Sequence, residues 1–497
     1  MSNSGQPGVY GNWTMPRSTG LAGQTTGVTL IGMGFIVIAL IAGFVVNILA
    51  GLVAALVGAL LMIPLIKSRG GRSGYEAWTL KRQYKKQRRK GEHVFRSGPF
   101  SRVSGGKYQL PGVLGTATVT EWETGGGQPF AMIHYPRGHQ YTVVLRAFPQ
   151  GSGGLDQKQI DAMVFHWGEV LVAFGQDGDV AGAEAVIESV PSTGIALRDE
   201  VRTLMQPDSP DLAQQIMVES AKQLGTQQVE MQARLTISFT ATTEERRKSA
   251  REMSYEVSRR LMAMTPQLGL AGINVRPMRE DEVVEVARRA YSPADQADLE
   301  RGRRSPEGHG VSWDNAGPAV AVNYRRKYEH DGVTSSVWEM QDPPRGAVTE
   351  RVLAALNAPN GSMSRKRINI VYRPHAAEEA AQLVESDFKN AMAATNSGRN
   401  EAMVKASASL RLANTKKARE EEALGHGLTR FGVILTVTED AESGDIPRAE
   451  GLLKSLSVRS RLKIRRADWY QDLAFAAGLG LGVLLPDHAS IPKVMAG

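Results

Sequence analysis

The residues Gly105-Gly106-Lys107 are the part of this sequence most similar to a phosphate-binding loop. In a Walker-type loop, glycines let backbone N–H groups surround the phosphate oxygens, and a Ser or Thr after the lysine binds magnesium. Here Ser101 takes the place of the first glycine, and Tyr108 takes the place of the Ser or Thr. We therefore predict that Lys107 is an ordinary loop lysine.

Two histidines lie near carboxylates at helical spacing. His166 and Glu169 are three residues apart, which could bring two metal ligands together, but no third ligand is near them in the sequence. His375, Glu378 and Glu379 open a predicted helix, where carboxylates complement the helix dipole. The sequence has no cysteine, which excludes thiolate zinc sites and cysteine nucleophiles. We predict no catalytic residue, no cofactor and no metal site, and hence a protein that is not an enzyme.

The stretch from Val28 to Ile66 carries no charged side chain and is rich in Leu, Ile, Val, Ala and Gly. One membrane span needs about 20 apolar residues, so 27–66 is predicted to be a transmembrane helical hairpin, with helices at 28–46 and 49–66. Asn47 marks the turn, because an unpaired amide is costly in hydrocarbon. The alternative is one long buried helix of a soluble core.

A dense basic cluster follows, opposed only by Glu76 and Glu92. The positive-inside rule places this end in the cytoplasm, which predicts a multi-pass protein of the cell membrane with the bulk of the chain cytoplasmic. Residues 1–26 are Gly-, Ser- and Thr-rich and are predicted to be a disordered cytoplasmic arm. Residues 67–91 are predicted to form a basic juxtamembrane helix, which binds membrane lipids through Lys81, Arg82, Lys85, Lys86, Arg88 and Arg89.

The formal net charge of the chain is +8. Because much of the positive charge follows the apolar stretch, it argues first for anionic lipid headgroups and only second for nucleic acid. A basic face without interleaved aromatic residues is a weak nucleic-acid signal. We therefore expect no direct nucleic-acid binding.

An internal repeat of strand, helix and strand organises the rest of the chain. In the first unit, 233–276, the residues Leu235, Ile237 and Phe239 alternate as a half-buried strand before a helix and a return strand. The second unit, 431–465, has the same order. The repeat predicts an α+β fold, in which the hairpin is followed by two ferredoxin-like cytoplasmic modules with long helices, at 92–290 and 319–497. Residues 291–318, rich in Arg, Ser, Pro and Gly, are predicted to be the linker between the modules.

The end of the chain resembles a known family. The resemblance lies in Ile464-Arg465-Arg466-Ala467-Asp468-Trp469-Tyr470-Gln471, then Ala474-Phe475 and Leu484-Leu485-Pro486. This order is similar to the close of the N-terminal domain of the VirB-type ATPases of type IV secretion and conjugation. His330-Asp331-Gly332 and Val337-Trp338-Glu339-Met340 also resemble an element of that domain. The apolar hairpin and basic helix are similar to PrgI-type small membrane subunits. We expect no motor domain beyond Gly497.

The resemblance implies a function and partners. It implies a non-catalytic, membrane-anchored structural subunit of an actinobacterial secretion or conjugative DNA-transfer machine, present as a homo- or hetero-oligomer with other membrane subunits. It also implies a separate VirB-type ATPase as a partner. One alternative is an EccE-type component of type VII secretion, which shares the plan of hairpin and body. Another is a membrane-bound transferase, which would need converging carboxylates or a phosphate-binding loop.

A partner-docking site is predicted at the end of the chain. The aromatic residues Trp469, Tyr470 and Phe475 are of the type that anchors interfaces, and 473–485 is strongly apolar. The alternative is that this apolar segment packs onto the sheet of its own chain.

Overall fold

The computed structural model describes residues 10–11, 26–63, 72, 74–99, 101, 104–206, 208–344, 346–396 and 406–485. The described strands are β1 (Tyr10–Gly11), β2 (Val94–Arg96), β3 (Thr118–Glu123), β4 (Pro129–Tyr135), β5 (Gln140–Pro149), β6 (Val180–Pro191), β7 (Val229–Thr240), β8 (Ile273–Pro277), β9 (Val320–Asn323), β10 (Tyr328–His330), β11 (Val333–Asp342), β12 (Ala347–Val348), β13 (Arg365–Pro374), β14 (Thr429–Asp440) and β15 (Lys463–Arg466).

The described α-helices lie between and around these strands. They are α1 (Thr26–Val45), α2 (Ile48–Met62), α3 (Gly74–Lys90), α4 (Gln157–Gln176), α5 (Ile195–Leu204), α6 (Asp211–Gln227), α7 (Glu244–Lys248), α8 (Ala250–Leu270), α9 (Glu280–Tyr291), α10 (Gln296–Arg304), α11 (Ala354–Asn357), α12 (Ala377–Asn396), α13 (Ala406–Ala423), α14 (Ile446–Arg459) and α15 (Gln471–Gly478).

One antiparallel sheet of 13 strands runs through the body of the protein. Its main order is β2-β9-β10-β11-β14-β13-β6-β7-β5-β4-β3, with β15 beside β11 and β8 beside β5. The class is therefore α+β, built on a large antiparallel sheet.

The sheet contains two halves with the same plan. In the first half, residues 140–277, the chain runs β5-α4-β6-β7-α8-β8, and the strands lie in the order β8-β5-β7-β6. In the second half, residues 333–466, the corresponding strands lie in the order β15-β11-β14-β13. Numbered along each half, both orders are 4-1-3-2, the order of a ferredoxin-like unit. The predicted repeat at 233–276 and 431–465 corresponds to β7-α8-β8 and β14-α14-β15.

The second strands of the two halves join them. β6 pairs with β13 in antiparallel register, from Ser189 opposite Lys366 to Ala183 opposite Tyr372. Each half also inserts a pair of helices after this strand: α5 and α6 follow β6, and α12 and α13 follow β13. Because β6 and β13 run in opposite directions, the two inserted pairs leave the sheet at opposite ends.

The two faces of the sheet differ in polarity, because side chains alternate along each strand. On one face, apolar side chains such as Leu235 and Ile237 pack against α4 and α8, and Leu435 and Val437 pack near α14. The other face carries what we call the polar layer, which consists of Glu184, Glu188, Arg234, Thr236, Ser238, Arg367, Asn369 and Thr436, all of them buried. Residues 471–485, here named the C-terminal strap, cross this face.

The apolar stretch forms the helical hairpin α1–α2, but the prediction that this hairpin spans a membrane is wrong. Asn47 caps α2 by accepting a 2.7 Å hydrogen bond from the Ala50 N–H, and Gly43 and Gly51 face each other between the helices. Within the described range 26–63, the 15 residues of α2 measure about 22 Å, against a hydrocarbon core of about 30 Å. None of the helices in the described ranges is both long enough and apolar enough to cross a membrane. The predicted multi-pass location in the cell membrane and the membrane part of the secretion-system interpretation are corrected with it.

One further predicted segment differs in the structure. Residues 291–318, predicted as a linker, contain α10 and the buried Trp313, whose indole N–H donates a 2.9 Å hydrogen bond to the Ala117 carbonyl. This segment is therefore part of the packed body. In the predicted arm, Tyr10 and Gly11 form β1 and pair with β12, and the other residues before Thr26 lie outside the described part of the chain.

Candidate interaction surfaces

The residues first considered for chemistry lie apart from one another. Lys107 is exposed, directly after a short turn at Ser104–Gly106. His166 Nδ1 lies 2.8 Å from Glu169 Oε2, and His375 Nδ1 lies 3.0 Å from Glu379 Oε2. Among the described residues, no group of three or more His, Asp or Glu side chains is arranged to hold a metal ion. The two histidines thus form local pairs, each at helical spacing.

The centre of the polar layer is Glu188, which binds arginines from both halves. Its carboxylate accepts hydrogen bonds from Arg234 at 3.0 Å, Arg289 at 3.3 Å and Arg367 at 3.1 Å. Burial alone would raise the pKa of the Glu188 carboxyl, but the guanidinium groups of Arg367, Arg289 and Arg234 hold that pKa well below its usual value. A charged carboxylate at this position therefore ties β7, α9 and β13 to β6.

A second buried carboxylate, Glu184, binds the C-terminal strap. Its oxygens accept a 2.8 Å hydrogen bond from the Asn369 side chain and a 2.7 Å hydrogen bond from the Gly482 N–H. Burial raises the pKa of Glu184 to about 7, although both hydrogen bonds lower it. Such a pKa would suit acid–base chemistry, but the strap covers this carboxyl. We therefore assign Glu184 to holding the strap on the sheet.

The strap itself is part of the core. Asn369 and Thr236 donate to the carbonyls of Ala477 and Gly480, and the Tyr135 hydroxyl donates to the Leu481 carbonyl at 2.6 Å. The strap's side chains from Ala474 to Leu484 are buried. The structure thus corresponds to the alternative in which this apolar segment packs on its own sheet, and Pro486 lies outside the described residues.

The three residues predicted to dock a partner have different environments. Phe475 is 0% exposed and packs among Tyr291, Tyr328 and His330, so it is not available to a partner in this structure. The Tyr470 hydroxyl contacts Arg72 and Glu339. Trp469 is half-buried, has a φ of 76°, which bulky residues rarely adopt, and lies under the guanidinium of Arg325.

The two predicted surface sites lie at one corner of the molecule. Arg72, just before α3, stacks over the Tyr470 ring at 4.9 Å, and at the other end of α3 the Asn323 N–H donates a 2.8 Å hydrogen bond to the His93 carbonyl. Arg325 in the β9–β10 turn accepts from the Trp469 N–H through its carbonyl at 2.8 Å. We name the surface formed by α3, residues 324–327 and Trp469 the basic corner. It contains the predicted basic residues Lys81, Arg82, Lys85, Lys86, Arg88 and Arg89, all exposed.

A third surface was not foreseen from the sequence. α5 and α6 pack on each other where the Gly194 and Gly225 backbones touch, and Ile195 and Ala221 are buried there. Apolar side chains on the outside of α6 remain exposed: Leu212 at 68%, Ile216 at 56%, Met217 at 52% and Leu224 at 54%. We call these four residues the α6 face. An apolar stripe on a helix has the same pattern whether it faces a core or a partner, so the sequence held no signal that separates the two.

The equivalent insertion in the second half is bridged by an ion pair and a cation–ring contact, and it exposes fewer apolar side chains, Met392 and Leu410. Arg419 of α13 lies 3.1 Å from Glu385 of α12 and stacks over the Phe388 ring at 4.9 Å. Two further ion pairs, Lys416 with Glu420 and Lys417 with Glu421, line the outside of α13. The two inserted pairs therefore occupy equivalent positions but present different surfaces.

Comparison with protein families finds a match for one part of the chain. A family model described as "Domain of unknown function (DUF8461)" matches residues 17–76. That span includes α1, α2 and the first residues of α3. No curated protein matches this chain.

Proposed function

We propose that this protein is a non-catalytic structural subunit that docks a separate VirB-type ATPase through the α6 face. The observation that carries the proposal is the exposure of Leu212, Ile216, Met217 and Leu224 on a helix that projects from the sheet. Burying a large apolar side chain is worth about 1.5–3 kcal/mol, so leaving four of them in water is costly unless a partner covers them.

The geometry of α6 suits recognition of one helix by a groove. At 100° per residue, the α6 face falls within an arc of about 140°. The 17 residues of α6 extend over about 25 Å. Apolar anchors one turn apart, such as Leu212 and Ile216, are the usual contacts of a helix bound in an apolar groove.

The choice of an ATPase as the partner rests on the resemblance of 464–486 and 330–340 to the N-terminal domain of VirB-type ATPases. The docking site first predicted for that partner included Phe475 and the apolar segment 473–485. Most of these residues are buried inside the fold. The α6 face replaces them as the exposed apolar surface. This moves the proposed contact from the end of the chain to the insertion in the first half.

The test is a pair of matched variants on α6. Ile216→Glu places a charge within the α6 face, whereas Gln215→Glu places the same charge on the neighbouring exposed position. Each protein is immobilised and mixed with a purified VirB-type ATPase. We expect Ile216→Glu to lose the ATPase and Gln215→Glu to retain it, with circular dichroism unchanged for both. Equal retention by the two variants, or no binding by the unmodified chain, would overturn the proposal.

A further inference from the structure

We propose that the basic corner binds single-stranded nucleic acid. The proposal is independent of the α6 face and differs from the sequence expectation of no nucleic-acid binding. That expectation treated the basic residues as a face without interleaved aromatic residues, but Trp78 and Tyr84 lie among them in α3. The fold brings two further rings, Tyr324 and Trp469, to the same corner.

The first observation is uncompensated charge along α3. Lys81, Lys85, Lys86, Arg88 and Arg89 are exposed, and the described residues contain no ion pair to any of them. The 17 residues of α3 extend over about 25 Å. Each strand of a duplex carries one phosphate per about 3.4 Å of helix axis, and α3 is several times longer than this rise, so it is long enough to contact more than one phosphate.

The second observation is a set of three cation–ring pairs. Arg82 lies over Trp78 at 5.2 Å, Lys327 lies over Tyr324 at 5.2 Å, and Arg325 lies over Trp469 at 5.0 Å. Trp78 is 50% exposed and Tyr324 is 40% exposed. Proteins that bind single strands combine cations for the backbone with exposed rings on which unpaired bases stack.

The third observation is that the corner is held in place. Arg72 fixes the start of α3 to Tyr470, and the pairing of Val94 with Val322 fixes the strand that follows it. The three cation–ring pairs therefore lie on elements that are tied together, although α3, the β9–β10 turn and Trp469 are distant in sequence. A preorganised surface loses less entropy when it binds a flexible strand.

Acidic residues are present at the corner, and they are paired within it. Asp468 lies 3.4 Å from Arg325, Glu329 lies 2.5 Å from Lys327, and Glu92 lies 3.4 Å from Lys90. These ion pairs partly neutralise Arg325 and Lys327 in the β9–β10 turn. The excess of positive charge therefore comes from the outer side of α3.

An anionic lipid surface would be attracted by the same charge, but the shape of the corner favours nucleic acid. A helix that lies on lipid needs a continuous apolar face to enter the bilayer. In α3 the aromatic residue Tyr84 is 8% exposed and faces the protein body. What remains outside is a cationic side with separate rings.

The experiment measures fluorescence anisotropy of a labelled 20-nucleotide oligo-dT with the full chain. We expect binding that weakens steeply between 50 and 200 mM salt. Lys85→Glu should lower the affinity at least tenfold, whereas Lys158→Glu, the same change at an exposed position of α4, should leave it within twofold. Trp78→Ala keeps the charge and should lower the affinity about fivefold or more with the salt dependence unchanged.

Three outcomes would overturn the proposal. The first is equal binding by Lys85→Glu and Lys158→Glu. The second is unchanged affinity in Trp78→Ala together with equal binding of a 20-base-pair duplex, which would show charge attraction alone. The third is binding to phosphatidylserine vesicles without binding to oligo-dT. Ile216→Glu should bind oligo-dT like the unmodified chain, so failure of the docking proposal is distinguishable from failure of this one.

Discussion

The two halves of the sheet share one strand order but differ in what is inserted between their strands. In the first half, the connection between β5 and β6 contains α4, a helix of 20 residues. In the second half, the corresponding connection between β11 and β13 contains α11, a helix of four residues, next to a short turn. The inserted pair α5–α6 exposes the four residues of the α6 face, whereas α12–α13 exposes Met392 and Leu410 and is bridged by the ion pair of Arg419 with Glu385. The strand framework thus accommodates different insertions between the same strands.

The two halves differ in their insertions, but both contribute residues to the polar layer. Glu184 and Glu188 come from the first half, and their partners Asn369 and Arg367 come from the second. The strap crosses both. The halves should therefore unfold as one cooperative unit, and the predictions below test how far each half depends on the other.

The largest expected effect is that of Glu188→Ala. Removing one carboxylate leaves Arg234, Arg289 and Arg367 buried without their shared partner, and breaking a buried ion pair in this way costs about 3–5 kcal/mol. Urea unfolding measures the loss. The control is Glu230→Ala at an exposed position of β7, which should change the free energy of unfolding by no more than about 0.5 kcal/mol. Equal losses in both variants would show that the halves do not depend on this cluster.

A smaller loss is expected when the strap is lifted by Gly480→Ala. Gly480 has a φ of 67°, and a Cβ there would lie 2.1 Å from Val186 Cγ2. Overpacking together with the left-handed backbone should cost about 2–4 kcal/mol. The matched change Gly451→Ala on α14 meets no atom within 4 Å and should be neutral or stabilising. A neutral Gly480→Ala would mean that the strap does not lie against β6.

The smallest effect on stability is a pH dependence that comes from Glu184. Its pKa in the folded protein is about 7, raised from 4.5 by burial. The stability contributed by its protonated form is fully present below pH 4.5 and is lost as the pH rises through about 7. Relative to Glu184→Gln, the unmodified chain should therefore lose about 2 kcal/mol between pH 5 and pH 8, measured by urea unfolding.

The buried His330 contributes a pH dependence of the opposite sign, which the comparison with Glu184→Gln removes. Burial lowers its pKa from 6.5 to about 4, so its contribution is present above pH 6.5 and is lost as the pH falls through about 4. Because His330 is unchanged in Glu184→Gln, its contribution cancels in the difference between the two proteins. A difference that does not change with pH would contradict the assignment to Glu184.

Local patterns predicted the elements of this fold better than their long-range packing. The alternation of Leu235, Ile237 and Phe239 predicted β7, and the strand–helix–strand order at 431–465 corresponds to β14-α14-β15. The turn at Asn47 was also predicted correctly. The hydrophobic run was interpreted as membrane-spanning because its length and lack of charge were the only properties that the sequence offered. Phe475 is an example of a buried residue with the pattern of an exposed anchor. Its burial depends on β10 and α9, which are distant in the sequence.

The candidate surfaces were predictable in part. The basic residues of α3 were identified from charge alone, because a cluster of lysines and arginines is rarely buried. The pair of Arg325 with Trp469 was not, because these two residues are distant in the sequence and meet only through the fold. The α6 face could not be recognised from the sequence. Leu212 and Ile216 are exposed because no other element of the fold packs against them, and the local sequence does not show this.

Hydrogen–deuterium exchange of the chain with and without the VirB-type ATPase tests most directly whether the first-half insertion is the docking element. Peptides from α6 and α13 provide the comparison within one experiment. The docking proposal predicts slower exchange in residues 211–227 when the ATPase is added, and no change in residues 406–423. Protection confined to α13, or no protection of α6 at saturating ATPase, would contradict it.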